Sequence, residues 1–306
     1  MSSLRETRSV AGPDASGMRV DRYLAEHLEL FPRSQIAHRD VVVRVNGEVV
    51  KLSRKLREED VVEITYSEPE PAAIEAEPID LDIMYENDDV VVINKPPGMV
   101  VHPAAGNWTG TLAQGLMHHL RELPGRFDDH SRPGIVHRLD NDTSGVLIAA
   151  KHPAALAYLA AQFRKRSTKK VYLAIVKGRP PKSIGSISSP IGRDPRNRKR
   201  FTVSEAGKSA RTEYRVLRHY ADYSLMSLEP HTGRTHQLRV HMAALGCPII
   251  GDPIYARPDR RLPGARCALH AFRLTIVLPG EPAPRSFTAR PPDDFRALRI
   301  DVSGLP

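Results

Sequence analysis

The sequence predicts an α+β fold in two domains, a small N-terminal α/β module and a larger domain on a mixed, largely antiparallel sheet. The chain has 306 residues, which is long for one ordinary domain. An acidic, proline-rich stretch at 67–79 lacks large apolar side chains and is typical of a linker. Beyond it, strand-like runs outnumber helical patterns without regular alternation, which favours an α+β domain over 80–306.

The N-terminal segment predicts a short leader followed by a compact module over 18–66. Residues 1–17 mix charged residues and prolines without an apolar core, so we expect a flexible leader rather than a signal peptide. Val20, Leu24 and Leu28 recur every four residues and predict an amphipathic helix. A second short helix is expected from Pro32. Two strand-like runs meet at Asn46-Gly47, which indicates a hairpin, and a strand over 61–66 completes the sheet.

The large domain shows seven strand patterns and three helical ones. The strands are expected at 81–86, 89–94, 145–150, 170–176, 210–218, 223–228 and 268–278, and the helices at 112–120, 153–164 and 235–245. Pro153 suits the first turn of its helix.

Charge is distributed unevenly along the chain. The net charge of +9 combines neutral residues 1–66, nine acidic and no basic residues in 67–89, and 34 basic against 16 acidic residues in 90–306. A body with a net charge of +18 indicates a polyanionic partner. The longest apolar runs are strand-sized, which argues against a membrane span. Two cysteines are too few for a disulfide framework, so we expect a reducing, cytoplasmic location.

A polar segment at 134–145 lies between two apolar strands, where sites often occur. If it is extended, Arg138 and Asp140 project to one side, and His137 and Leu139 project to the other. An arginine beside an aspartate favours the ionised carboxylate that a nucleophile or base requires. The alternative is a surface ion pair beside a local turn.

A second polar segment, 232–241, leads into a helix. Arg234 falls near the helix N-terminus, where the dipole disfavours a cation unless an anion is close. His236 and His241 are five residues apart, so they do not share a helical face as paired metal ligands would. We therefore expect no metal site there.

Ordered blocks in both domains resemble known families. "MRVDRYLAEHL", "PRSQI", "VNGEVV" and "LREEDVVEI" resemble the S4 RNA-binding module, although a small domain that only packs is the alternative and its zero net charge supports that alternative. "INKPPGMVVHP", "GIVHRLDNDTSGVLIAAK", "KKVYLAIVKG", "GRTHQLRVHMAALGCPIIGDPIY" and "ALHAFRL" resemble the signature blocks of RluA-type RNA pseudouridine synthases, in their large-ribosomal-subunit branch.

The resemblance implies roles for five residues. It makes Asp140 the catalytic aspartate and Arg138 the side chain that enters the RNA stack when the uridine flips out. Tyr172 packs on the base as a proposed proton acceptor at C5, Arg234 pairs with the aspartate, and Leu269 packs on the base from another side. The implied reaction needs no cofactor and no metal, because breaking N1–C1′ and forming C5–C1′ involves no net redox change.

The expected partner is structured RNA, 23S rRNA first and tRNA as the alternative, bound by a monomer. A Pro-containing basic loop over 193–200 is expected to clamp phosphates through Arg196, Arg198, Lys199 and Arg200. The basic run at 164–170 overlaps a helix end, where cations also suit the dipole. A non-catalytic ribosome-assembly factor and a base-releasing glycosylase are the other functional alternatives.

Overall fold

The computed structural model divides the chain into two compact units, residues 1–73 and 74–306. It describes residues 3–28, 30–31, 36, 39–68, 74–104, 106–120, 134–259, 265–293 and 295. No helix among these described residues is long and apolar enough to cross a bilayer.

The N-terminal unit is an antiparallel sheet covered by a short helical segment. Its strands are β1 (Ser3–Val10), β2 (Val42–Val45), β3 (Glu48–Val49) and β4 (Val61–Glu68), in the order β1-β4-β2-β3. Helix α1 (Val20–Arg22) continues as one π-helical turn, Tyr23–His27, and buries Val20, Tyr23 and Leu24 against the sheet. The predicted helix and hairpin are therefore confirmed. The expected second helix at 32–34 lies outside the described residues.

Two backbone features define this sheet. Asn46 and Gly47 both have positive φ, 54° and 83°, which is the geometry that a two-residue hairpin turn requires. The flexible leader is a prediction that the structure corrects, because Ser3–Val10 pairs along its whole length with β4. Burial alternates only in the second half of this strand: Thr7 and Ser9 are half-buried, and the Ser9 hydroxyl lies 2.9 Å from that of Tyr23, whereas Arg8 is exposed.

The large unit is built on a nine-stranded mixed sheet. Its remaining elements are β5 (Ile83–Glu86), β6 (Val90–Lys95), α2 (Leu112–His119), β7 (Ser144–Ala150), α3 (Pro153–Lys165), β8 (Lys169–Lys177), β9 (Ile184–Ile187), β10 (Ile191–Asp194), β11 (Asn197–Val203), β12 (Thr212–His219), β13 (Tyr223–Pro230), α4 (Gln237–Ala244), β14 (Leu269–Val277) and β15 (Pro284–Thr288). The sheet order is β5-β6-β7-β14-β8-β13-β12-β9, with β15 beside β14. Strands β7 and β14 run parallel, and the other described pairs are antiparallel. The predicted α+β class is confirmed.

Strand β6 is buried on both faces. In β6, Val90 and Val92 pack with α3 residues, whereas Val91 and Ile93 face Leu112 and Leu116 of α2. A continuous apolar run is what a strand covered on two sides requires. Strand β6 pairs with β7, and the end of β6 at Lys95 lies opposite Gly145 near the start of β7.

In the large unit the predicted strands and helices are all present, and four of its described strands were not predicted. Strands β9, β10, β11 and β15 are short or carry several charged or polar residues. The expected basic loop over 193–200 is instead the hairpin of β10 and β11, with its turn at Pro195 and Arg196. The sequence shows no alternation of apolar and polar residues there, because charged residues occupy the strands themselves.

Candidate active site

One open cavity, about 470 Å³ in volume, brings the predicted residues of both polar segments together. Its walls come from the segment before β7, the start of β8, the loop before α4 and the start of β14. Its lining includes all five residues that were expected in the site: Arg138, Asp140, Tyr172, Arg234 and Leu269. Residues that are distant in sequence therefore come together at the ends of several strands and in the adjoining loops.

Asp140 is fixed at the end of the segment that leads into β7. Its backbone carbonyl accepts a hydrogen bond from the Thr143 N–H at 3.1 Å, which closes a turn. The buried Lys95 ammonium, at the end of β6, donates to the carbonyl of the next residue, Asn141, at 3.0 Å, and to those of Pro96 and Met99. Burial lowers the Lys95 pKa to about 7, while three carbonyl acceptors match the three N–H bonds of its charged form. The backbone around Asp140 is thus held by its own turn and by Lys95 of β6.

Arg239 is the arginine that contacts Asp140. Its Nη1 donates to Asp140 Oδ2 at 3.2 Å, and its Nε and Nη2 donate to both carboxylate oxygens of Asp252 at 2.7 and 2.8 Å. The side chains of Arg239 and Asp252 are 7% and 0% exposed, whereas that of Asp140 is 24% exposed. The guanidinium therefore joins a buried structural carboxylate to one that faces the cavity.

The ion pair governs the charge state of Asp252. Burial alone would raise the pKa of this carboxyl, but the hydrogen bonds and charge of Arg239 outweigh it, and the pKa is lowered. Asp252 also accepts from the backbone N–H groups of Ile254 and Tyr255. The carboxylate accepts from four N–H groups and from the Cys267 thiol, so it holds the guanidinium of Arg239 in a fixed orientation.

The predicted pairing of Arg234 with Asp140 is wrong. Arg234 Nε donates instead to the Ser209 carbonyl at 3.0 Å. The difference arises because His236 adopts a left-handed conformation, φ 55°, and α4 begins only at Gln237. Arg239 then occupies the first turn of the helix, and Arg234 remains in the preceding loop on the cavity wall. The sequence signal for Arg239 was present, since it lies in the same block.

His236 also approaches the carboxylate, whereas the sequence pattern had indicated only that it is not a metal ligand. Its Nε2 lies 4.0 Å from Asp140 Oδ2, and its Nδ1 lies 3.0 Å from the Tyr255 hydroxyl. The Phe201 N–H donates to that hydroxyl at 2.9 Å, which leaves the tyrosine proton free to be donated to Nδ1. This arrangement favours the neutral tautomer with its proton on Nε2, toward Asp140. Burial lowers the His236 pKa, against the opposing charge of Asp140, which agrees with a neutral ring.

Tyr172 and Leu269 form apolar walls on neighbouring strands. Strands β8 and β14 pair antiparallel, with Tyr172 opposite Ala271 and Leu269 opposite Ala174. Leu269 is buried. Burial, followed by the charge of Asp140, raises the pKa of the Tyr172 phenol, so the ring is neutral at neutral pH. A flat aromatic ring and a branched aliphatic group beside a carboxylate suit a planar base.

The rim of the cavity is basic. Arg138 is exposed at the rim, and the lining also includes Arg164, Arg166 and Lys170 from the end of α3 and the start of β8. In the β10–β11 hairpin, Arg196 and Arg200 are exposed, and the Arg200 guanidinium lies 5.6 Å from the Tyr255 ring centroid. The side chains of Arg198 and Lys199 lie outside the described residues. The hairpin therefore adjoins the cavity through Phe201 and Tyr255.

Comparisons with known proteins agree with this geometry. Residues 89–244 match the RNA pseudouridylate synthase family model, and residues 33–66 match a TGS domain rather than the S4 module that the sequence resembles. The chain is 45% identical over 269 residues to ribosomal large subunit pseudouridine synthase D of Borreliella burgdorferi, covering 85% of this chain and 82% of that protein. It is 42% identical to the uncharacterized RNA pseudouridine synthase YlyB of Bacillus subtilis, covering 94% and 95%.

Solved structures extend the similarity. Human RNA pseudouridylate synthase domain containing 1 superposes with a TM-score of 0.56 at 32% identity, covering 72% of this chain and 86% of that one. The family match spans the segment of Asp140, strand β8 with Tyr172, and the start of α4 with Arg239. The chain is a member of the RNA pseudouridylate synthase family.

Proposed function

We propose that the cavity converts a uridine of large-subunit ribosomal RNA into pseudouridine, with Asp140 as the reacting carboxylate. One observation carries this proposal: a partly exposed carboxylate, paired with a buried arginine, faces a cavity whose walls are Tyr172 and Leu269. The relatives named as large-subunit pseudouridine synthases support the choice of RNA. Ribosomal RNA as substrate also favours a cytoplasmic location.

The reaction requires a carboxylate, an acceptor for the C5 proton and a pocket that retains the detached uracil. Asp140 either attacks C1′ as the N1–C1′ bond breaks, as a retaining glycosidase nucleophile does, or removes the C2′ proton to give a glycal. In both routes the detached uracil turns in place, C5 joins C1′, the C5 proton leaves and N1 takes up a proton, so the RNA keeps its mass. Arg239 stabilises the negative charge of Asp140 before the attack and whenever the carboxylate is released.

The walls retain the base during rotation. A detached uracil that escaped would leave an abasic site, so the enzyme must hold the ring between surfaces that allow it to turn. Tyr172 offers a neutral aromatic face, and Leu269 offers an apolar surface without hydrogen-bonding demands. We assign these two residues the roles of base-binding walls. Because the Tyr172 phenol is neutral, its oxygen accepts the C5 proton only as its own phenolic proton passes to water in the open cavity.

Entry of the uridine requires base flipping, which costs a few kcal/mol of stacking and pairing. Arg138 precedes Asp140 by two residues and is exposed at the cavity rim. An extended, charged side chain there can fill the gap that the flipped base leaves and contact phosphates. The cations Arg164, Arg166 and Lys170 on the same rim supply further attraction to the backbone.

The neutral N-terminal module adds placement rather than electrostatic strength. We assign residues 1–73, which include the predicted module over 18–66, to RNA positioning and residues 74–306 to the catalytic domain. The predicted linker over 67–79 is narrowed, because β4 extends to Glu68 and Ile74 is buried with Ala113 and Met117 of α2. The charge distribution supports this division, because 90–306 carries the net charge of +18. Deleting residues 1–66 should change the range of uridines modified more than it changes turnover on a good substrate.

Pseudouridine mapping in cells tests the proposal. Total RNA from cells with and without the gene is mapped, and one or more large-subunit sites should disappear and return with wild-type protein. Complementation with Asp140→Asn protein, matched for abundance, should leave the same sites unmodified. If only tRNA sites disappear, the proposed target is wrong, and if no site disappears, the proposed function is wrong. Free uracil released from RNA would instead indicate a glycosylase.

A further inference from the structure

We propose that Trp108 is a stacking platform for a nucleotide that neighbours the target uridine. It is the chain's one tryptophan, and it is 68% exposed. Tryptophan is usually well buried, so an exposed indole has lost most of the stabilisation that burial gives such a large ring. The inference rests on the proposed function only for the identity of the ligand, which is the RNA substrate.

The loop that carries Trp108 is fixed by hydrogen bonds at several points. Residues 96–110 connect β6 to α2. The N–H and C=O groups of Ala104 and Asn107 bond to each other at 3.0 and 2.8 Å, and the Gly110 N–H donates to Glu77 Oε2 at 2.7 Å. Directly after it, Thr111 begins α2 with a capping box. The described residues on both sides of Trp108 are therefore held by hydrogen bonds, which lowers the entropy lost on stacking.

The same loop leaves the sheet beside the catalytic aspartate. Strands β6 and β7 pair antiparallel with Lys95 opposite Gly145, so β6 ends where the segment after Asp140 begins. The N–H of Gly98 and the ammonium of Lys95 both donate to the Asn141 carbonyl at 3.0 Å. Loop 96–110 and Asp140 thus lie at one edge of the sheet and share a hydrogen-bonded contact.

The chemistry of the loop suits the face of a base rather than a phosphate. Residues 96–110 contain no lysine, arginine, aspartate or glutamate. The cations of the cavity rim come from other segments, namely Arg138, Arg164, Arg166 and Lys170. A neutral loop with one exposed indole can hold an unstacked base by ring stacking, which is tolerant of sequence and contributes about 1–3 kcal/mol for each base. A strand opened by base flipping supplies such a base beside the target.

Tryptophan fluorescence reports this contact directly, because every signal comes from Trp108. Binding is measured on Asp140→Asn protein, so that turnover does not alter the RNA, with an unmodified 23S rRNA transcript as the probe. We expect binding to quench the emission. Trp108→Ala should raise Kd by about 5- to 150-fold, which corresponds to the stacking energy above, and Trp108→Phe should recover most of the affinity. The dependence of Kd on salt should keep its slope, because no phosphate contact is lost.

Tyr158→Ala on α3 is the matched control, because Tyr158 is another exposed aromatic residue and lies in the middle of a helix. It should leave Kd unchanged. Unchanged emission on binding, with an unchanged Kd for Trp108→Ala, overturns the stacking role, even if wild-type protein modifies the transcript. Unchanged RNA affinity with loss of a co-purifying protein would assign the ring to a protein partner and also overturn it. Wild-type protein that neither binds nor modifies the transcript would overturn the proposed function and this inference together.

Discussion

Arg239 and Arg234 lie five residues apart in one block, and the structure predicts opposite results for their substitution. Arg239→Met removes the cation 3.2 Å from the Asp140 carboxylate. Coulomb attraction at that separation is about 1 kcal/mol in water and about 5 kcal/mol at an effective dielectric constant of 20. Because Asp140 is about a quarter exposed, a loss of about 2–3 kcal/mol is expected, which lowers kcat by about 30- to 150-fold.

The same substitution also affects folding. It leaves the Asp252 carboxylate buried without its partner, and breaking a buried ion pair on one side costs about 3–5 kcal/mol. The double variant Arg239→Met with Asp252→Asn removes both charges, which is close to neutral in many proteins. It should regain most of the unfolding free energy while kcat stays low. That separation distinguishes a role in the reaction from a role in stability.

The assay compares three proteins on one transcript: Arg239→Met, the double variant and Arg234→Met. Urea unfolding gives stability, and initial rates of pseudouridine formation give kcat and KM. Arg234 donates to the Ser209 carbonyl and lines the cavity, so Arg234→Met should change KM more than kcat, with kcat within about fivefold of wild type. A 100-fold lower kcat for Arg234→Met, with normal kcat for the stable double variant, would refute the assignment.

Three further substitutions or conditions test separate parts of the account. Gly145→Ala should destabilise the protein by more than about 3 kcal/mol in urea unfolding, because its φ is 110° and a new Cβ would clash with the Ala271 carbonyl oxygen in the neighbouring strand. Gly98→Ala should cost less, because Gly98 has a positive φ of 81° but open space around it. Neutralising Arg196, Arg198, Lys199 and Arg200 together should weaken RNA binding and reduce the slope of log K against log salt by up to about 3, and an unchanged slope would remove the hairpin from the RNA interface. The pKa of Asp252 is lower in the folded state than its unfolded value of about 3.9, so its ion pair stabilises the folded state above that pH. This stabilisation is lost as the pH falls through the folded-state pKa. The unfolding free energy of the wild type should therefore fall below about pH 4 more steeply than that of the Arg239→Met, Asp252→Asn double variant.

Local chemistry made the strands and helices near the site predictable. The run Val90–Ile93 is apolar throughout because both faces are covered, and Pro153 begins a helix because its missing N–H is not needed there. Asn46-Gly47 forms its hairpin because both residues tolerate positive φ. Each of these features depends on residues within one turn or strand, so the sequence carries them.

Long-range pairing and single backbone conformations were not predictable in the same way. Residues 3–10 contain few apolar side chains, and they form a strand only because β4 offers a full edge. The choice between Arg234 and Arg239 depends on one left-handed residue, His236, which sets where α4 begins. The hairpin at 191–203 is a strand pair whose charged residues resemble a loop. In each case tertiary context decides between two locally acceptable conformations.

Conversion of uridine by purified protein tests the central claim, that Asp140 in this cavity carries out the isomerisation. An unmodified 23S rRNA transcript is incubated with wild-type or Asp140→Asn protein, then digested and analysed for pseudouridine and for free uracil. Wild-type protein should form pseudouridine at a defined site without releasing uracil. Asp140→Asn protein, with an unchanged unfolding midpoint and measurable RNA binding, should form none. Pseudouridine formation at the wild-type rate by folded Asp140→Asn protein would contradict the account.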